Sequence, residues 1–224
     1  MNLEQARLEY QNLDSELKAD ADKISLGIWK RNRIPELYIG LEIPKDWYGD
    51  DRSLEVILTY VQHLEQNYQQ GVGLHLYGDY GTGKTFLMCH VLKEATRSYA
   101  PYFEPLYSGY FIPFAELLNL FTDGWYDRGK REKMEWLLQK VDFLAIDDLG
   151  KEFKSKSSNL NMAALDMVLR NRIYAKKPIL ITTNRQMGEI EEDYGKGIRS
   201  LLNEACLTLL VEGGDYRTRI AENR

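Results

Sequence analysis

Apolar residues at the start of the chain recur every seven positions, at Leu3, Tyr10, Leu17 and Ile24, with Ala6 and Leu13 between them. This a/d spacing, which breaks at Asp20 and Gly27, predicts a short amphipathic helical segment over residues 1–30, able either to dock on the protein's own core or to pair with a partner's helix. Residues 31–52 carry Pro35, Gly40, Pro44 and Gly49 and read as an irregular linker. Ser53 is placed to cap a helix through Leu54, Val56, Ile57, Tyr60, Val61 and Leu64. Five strands are then predicted in alternation with helices: Leu74–Tyr77, Tyr110–Phe114, Val141–Asp147, Ile179–Thr183 and Leu207–Glu212. The intervening helices cover Thr85 to about Ser98, Ala115–Phe121 and about Leu160–Ala175, with another helical stretch before the last strand. Strands alternating with helices predict an α/β fold with a parallel five-stranded sheet covered on both faces, occupying residues 53–224. The apolar runs Phe143–Ile146 and Ile179–Ile181 suit strands buried on both sides.

The junction between the first strand and its helix reads Gly78-Asp79-Tyr80-Gly81-Thr82-Gly83-Lys84-Thr85 and fits the phosphate-binding loop G-x-x-x-x-G-K-[ST] without a mismatch. Glycines let the backbone wrap a polyphosphate so that N–H groups face its oxygens, and the helix N-terminus adds the positive end of its dipole. Lys84 is expected at the β- and γ-phosphates of a nucleoside triphosphate, and the Thr85 hydroxyl at Mg²⁺.

The third strand ends in Asp147-Asp148. Adjacent carboxylates repel unless a cation neutralises them. Beside a phosphate loop, Asp147 is expected to hold Mg²⁺ through its water shell and Asp148 to orient or deprotonate the attacking water. The fourth strand ends in Thr182-Thr183-Asn184, where Asn184 is placed to sense the γ-phosphate; at a strand end Asn is otherwise a common turn residue.

With these features in this order, the chain resembles the AAA+ ATPases, specifically the DnaC/DnaI-type helicase loaders and the related IstB transposition helpers. The resemblance covers about residues 50–220 and rests on Gly78–Thr85, on Ile146-Asp147-Asp148-Leu149-Gly150-Lys151-Glu152, on Leu165–Arg172 with Lys177-Pro178 leading to Thr182-Thr183-Asn184, and on Gly214-Asp215-Tyr216-Arg217. It implies ATP hydrolysis with Mg²⁺, coupled to single-stranded DNA binding and to loading of a ring-shaped replicative helicase. By it, Lys84 and Thr85 bind phosphate and Mg²⁺, Asp147 is the metal residue, Asp148 the catalytic acid, Asn184 the first sensor and Arg217 the second. Where the family carries Ile-x-Ser-Arg-Leu, this chain has Ile198-Arg199-Ser200-Leu201-Leu202, so Leu201 stands at the position of the arginine that completes a neighbouring subunit's site. Arg199 and Arg172 are the candidate substitutes, and a homo-oligomer is the setting in which either would act. The family usually carries a substantial N-terminal domain that grips the helicase; here about fifty residues without cysteine precede the ATPase region, and for a loader the helix of residues 3–28 is the expected grip.

Composition narrows the partners. The net charge is −5 over 224 residues, which argues against a surface coated in basic groups for duplex DNA. One basic and aromatic stretch, Trp125-Tyr126-Asp127-Arg128-Gly129-Lys130-Arg131-Glu132-Lys133, suits single strands, with Lys151, Lys154 and Lys156 as a second basic loop. No apolar run reaches the roughly 20 residues that cross a bilayer, and the N-terminus lacks a signal peptide's pattern, so a cytoplasmic protein with no membrane partner is expected. Cys89 and Cys206 read as reduced buried thiols, and His63, His75 and His90 have no metal-ligand spacing. Competing readings are a transposition helper that binds duplex DNA and recruits a transposase, a non-hydrolysing adaptor held together by ATP, and a small-molecule kinase.

Overall fold

The computed structural model describes residues 2–100, 105–150 and 158–215. Among them the chain begins with α1 (Leu3–Asn12), α2 (Ser15–Arg31), the short α3 (Glu36–Ile39), α4 (Asp51–Gln62) and α5 (Leu64–Gln70). The alternating part follows as β1 (Gly73–Tyr77), α6 (Lys84–Ala95), β2 (Gly109–Pro113), α7 (Phe114–Asp123), α8 (Arg128–Gln139), β3 (Phe143–Leu149), α9 (Ser158–Tyr174), β4 (Ile179–Thr183), α10 (Met187–Ala205) and β5 (Cys206–Leu210). The strands form one sheet in the order β2-β3-β4-β1-β5, and every pairing is parallel.

Alternate residues of each strand feed two cores, as the two-residue period requires. Leu74, Leu76, Phe111, Phe143, Ala145 and Leu180 pack with α4, α6 and the N-terminal helices. Ile112, Leu144, Ile146, Ile179 and Ile181 pack with α7, α8, α9 and α10. The apolar runs of β3 and β4 thus serve both faces at once.

The N-terminal segment differs from the sevenfold reading. Asp14 caps a new helix by accepting the Leu17 N–H at 2.9 Å, which splits the segment into two. Neither Asp20 nor Gly27 interrupts α2. Its buried stripe is Ala21, Ser25, Ile28 and Trp29, at the spacing of one helical face, while Ile24 of the sevenfold set is exposed. Both helices dock on the chain's own core: Arg7 donates to the Val61 carbonyl at 3.1 Å, and Trp29 Nε1 to the Lys93 carbonyl at 3.2 Å.

Residues 31–52 are an ordered belt. The buried Lys93 ammonium donates to the carbonyls of Tyr38, Ile39 and Leu41, and Trp47 packs against Phe86 at 6.3 Å between ring centroids. Asp50, rather than Ser53, caps α4, accepting the Ser53 N–H at 2.6 Å. Ser53 is buried and its hydroxyl donates to the Leu210 carbonyl at 3.3 Å, tying the helix to the edge strand.

Candidate functional site

The site lies where the C-terminal ends of β1, β3 and β4 meet the N-terminus of α6, the position at which open α/β sheets hold their ligands. The loop after β1 turns through left-handed glycines. At Gly83, φ is 92°, and a methyl group there would lie 2.7 Å from the Trp47 ring. At Gly81, φ is 77°, and the same atom would run into the Asp215 carboxylate. Only glycine satisfies both the conformation and the closeness. Trp47 of the belt therefore packs against the loop at Gly83 and Asp215 against it at Gly81; from sequence, Trp47 had no place there and Asp215 only a position in the motif that ends at Arg217.

Gly83 is also the N-cap of α6, and no side-chain hydrogen bond caps that end, so the first amides face the loop. Lys84, 6% exposed, donates to the carbonyls of Gly78 at 3.0 Å and Asp79 at 2.5 Å and to the Thr82 hydroxyl at 3.3 Å. Thr82 in turn donates to the Asp79 carbonyl at 3.1 Å. Asp79 and Tyr80 form the exposed tip.

Thr85 and Asp147 meet directly, with Oγ1 donating to Oδ1 at 2.9 Å across 62 positions of sequence. A hydroxyl and a carboxylate are hard oxygen donors of the kind Mg²⁺ takes, so these residues fit the ion expected with a polyphosphate. Asp148 follows with φ 62° and its N–H bonded to the Thr182 hydroxyl at 3.0 Å. Asn184 directly follows Thr183, whose strand partners are Tyr77 on β1 and Leu149 on β3. Lys84, Thr85, Asp147, Asp148 and Asn184 are thus brought to one end of the sheet.

No protein-family model matches the chain. The replicative helicase loader DnaI of Bacillus subtilis (strain 168) is 23% identical over 208 residues, which span 92% of this chain and 63% of that loader. The crystal structure of the DnaC helicase loader superposes with a TM-score of 0.64 at 22% identity, covering 80% of this chain and all of that one. The fold is the one seen in the DnaI and DnaC structures. A replication initiator DnaA bound to AMPPCP and single-stranded DNA shares it at a TM-score of 0.56 and 18% identity, over 79% of this chain and 51% of that one.

Within this fold the arginine candidates separate. Arg172 is fully buried and donates to four carbonyls, those of Leu137 (3.0 Å), Val141 (2.7 Å), Asp142 (2.6 Å) and Pro178 (2.6 Å). It is a bolt between α9 and the sheet and has no path to a neighbouring subunit, which corrects the expectation that it serves as a finger. Leu201 is buried on α10, facing the core as its residue type favours. Arg199 is half-exposed on the same helix and paired with Glu191 at 2.5 Å. Arg217 lies outside the described residues, as do Lys151, Lys154 and Lys156; Asp215, two positions before Arg217, is the last described residue and stands at the phosphate loop.

The basic and aromatic stretch forms a helical hairpin rather than a loop. α7 and α8 are joined by Gly124–Asp127, and Asp127 caps α8 by accepting the Lys130 N–H at 3.0 Å. Trp125 and Tyr126 project at 58% and 91% exposure. Arg128 pairs with Glu132 at 2.7 Å and Lys130 with Asp123 at 2.5 Å, exposed pairs that exchange readily with other anions.

Among the described residues no helix is long and apolar enough to cross a membrane, and no cluster of three or more His, Cys, Asp or Glu has metal-binding geometry. Cys89 and Cys206 are buried free thiols whose pKa values burial pushes up.

Proposed function

We propose that the protein is an ATP-dependent loader of a ring-shaped replicative DNA helicase, acting in the cytoplasm and changing its grip on helicase and single-stranded DNA with nucleotide state. The observation that carries the nucleotide half is the Thr85–Asp147 junction, which joins the phosphate loop to the acidic strand end. The likeness to proteins named as helicase loaders supports the other half.

In this reading the Lys84 ammonium exchanges loop carbonyls for the β- and γ-phosphate oxygens, and the amides at the start of α6 add their dipoles. Thr85 and Asp147 hold Mg²⁺, which neutralises phosphate charge when bound. Asp148 takes the proton of the attacking water, while Asn184 and Arg217 report on the γ-phosphate. Arg199 is the remaining arginine for a neighbouring subunit's site in a homo-oligomer, and it would have to leave Glu191 to act. The buried Leu201 favours a second reading in which ATP is bound and hydrolysed slowly or not at all, as the switch of an adaptor.

Single-stranded DNA would lie across the α7–α8 hairpin. A groove of about 480 Å³ beside Trp125, lined by Leu120, Phe121, Met134 and Leu138 with Arg131 at its rim, offers aromatic and apolar surface to bases. The helicase would be gripped by the N-terminal pair, where Leu8, Ile24 and Leu26 remain exposed after α1 and α2 have docked.

The test is to mix the full chain with its host's replicative helicase and measure mass during size-exclusion chromatography, with and without ATP and Mg²⁺. A complex of defined stoichiometry that forms with wild type and is lost in Lys84→Ala supports the loader. Absence of a complex in either nucleotide state overturns it in favour of the transposition helper.

A further inference from the structure

Strand β3 does not run straight into its acidic end. Ile146 pairs with Ile181 and Leu149 with Thr183, so Asp147 and Asp148 together face the single residue Thr182. Two residues against one make a β-bulge, a device that bends a strand and re-aims its side chains. Asp148 takes up the bend in the left-handed region, at φ 62°. Such a conformation in a non-glycine residue persists where its surroundings over-determine it.

Two buried hydroxyls supply that constraint. Thr182 Oγ1 accepts the Asp148 N–H at 3.0 Å and donates its single proton to Asp147 Oδ1 at 2.5 Å. Thr183 Oγ1 donates to the Leu149 carbonyl at 2.6 Å and accepts the Arg185 N–H at 3.0 Å. Thr182 and Thr183 are 1% and 0% exposed, so water does not compete for these bonds. A hydroxyl has one proton and two lone pairs. At Thr182 the proton is committed to the carboxylate that also receives Thr85, and a lone pair to the amide of the next acid. Valine would fill the same space in a central strand and leave both bonds unmade.

We propose that Thr182 and Thr183 are positioning residues that clamp the bulge from β4, Thr182 fixing the Asp147 carboxylate toward Mg²⁺ and both together holding Asp148 in place for turnover. This rests on the nucleotide reading of the site. It assigns the Thr-Thr pair before Asn184 a task distinct from that of the asparagine.

The test compares wild type, Thr182→Val, Thr182→Ser and Thr183→Val as full chains, each checked for native circular dichroism. Two quantities are read: steady-state ATP turnover, and the gain in affinity for a fluorescent ATP analogue when Mg²⁺ is added. Thr182→Val is expected to lose about 10–100-fold in turnover and most of the Mg²⁺-linked gain, the usual effect of removing a partner that orients a metal ligand. Its Mg²⁺-free affinity should stay within about twofold, because uniform binding is untouched. Thr182→Ser, which keeps the hydroxyl, should recover both quantities. Thr183→Val touches only the Leu149 side of the bulge and should slow turnover while keeping the Mg²⁺-linked gain, which also carries the test if Thr182→Val fails to fold. Wild-type behaviour in both valine variants overturns the clamp, as does Thr182→Ser damaged as badly as Thr182→Val. A wild type that binds no ATP overturns the nucleotide reading itself, and shows it before any variant is compared.

Discussion

The two ends of β3 carry the same chemistry to opposite effect. At the N-terminal end, Asp142 accepts from Tyr68 Oη at 2.7 Å, from the Ser108 amide and hydroxyl at 2.9 and 2.8 Å, and from Lys177 Nζ at 2.7 Å. Burial pushes its pKa up, but these donors prevail and hold it below the ordinary value. Arg172 lies beside it, spent on four carbonyls, and burial lowers its pKa to about 9. At the C-terminal end, Asp147 and Asp148 sit on a bulge, one of them in left-handed backbone, next to a glycine-rich loop. The first arrangement settles each charge with regular backbone and stabilises the fold. The second keeps two carboxylates together at the cost of an irregular strand, and strained backbone of that kind clusters at functional sites.

Exchanging one oxygen for nitrogen at each end is the sharpest way to break this comparison. Asp148→Asn is expected to lower ATP turnover by about 10²–10⁴-fold, the range of a positioned general base, with ATP affinity kept. Its stability should hardly change, because Asn tolerates left-handed backbone as well as Asp does. Asp142→Asn should do the reverse, lowering the denaturation midpoint while turnover per folded molecule stays normal. Equal turnover in the two variants would end the assignment of Asp148.

Arg172→Met comes next in size. It keeps much of the side chain's length and strips four carbonyls of their donor, so a loss of about 3 kcal/mol or more is expected in urea unfolding. The ATP affinity of the folded fraction should be unchanged. If Arg172→Met is instead as stable as wild type and defective only in ATP turnover between subunits, Arg172 is a finger after all.

The sequence exposes these two ends unequally. The site end was legible because phosphate chemistry demands particular residues at particular spacings, and Gly78–Thr85, Asp147-Asp148 and Asn184 all converge there. The structural end was not, because nothing in a helical arginine tells whether it turns outward or into carbonyls, three of the four here being 30 or more positions away. Helix α8 is hard to read in the sequence although Met134, Leu137 and Leu138 have helical spacing, because charged residues fill most of its length. The sevenfold set at the N-terminus described hydrophobicity correctly but not the break at Asp14, and the small residues Ala21 and Ser25 concealed the face that docks. Trp47 was the visible sign that residues 31–52 are no loose linker, since a tryptophan in a polar stretch usually has somewhere to pack.

The smallest expected effect concerns the sheet between the two ends. His75 on β1 is fully buried, neither ring nitrogen has a hydrogen-bond partner, and burial lowers its pKa to about 4. Burial lowers that of His90 to about 4 as well, with Glu94 pulling up and Lys93 and Arg97 pushing down. An unfolded chain protonates these rings near pH 6.5 and the folded one only near 4, so between those values the unfolded state holds more protons and stability rises with pH. On acidification, stability is therefore lost from about pH 6.5 downward, by at most about 1.4 kcal/mol per pH unit for each histidine. Asp142 is shifted in the same direction but in a lower window: its contribution is complete above the unfolded carboxylate value, roughly 3.9, and disappears only below it. Melting temperature against pH should thus fall in two stages, and His75→Leu should shrink the upper one to the part that His90 supplies while leaving the lower. A flat profile down to pH 4.5 would show that the rings are not held neutral in the fold. A fall confined to the region below pH 4 would assign the acid response to the Asp142 end alone.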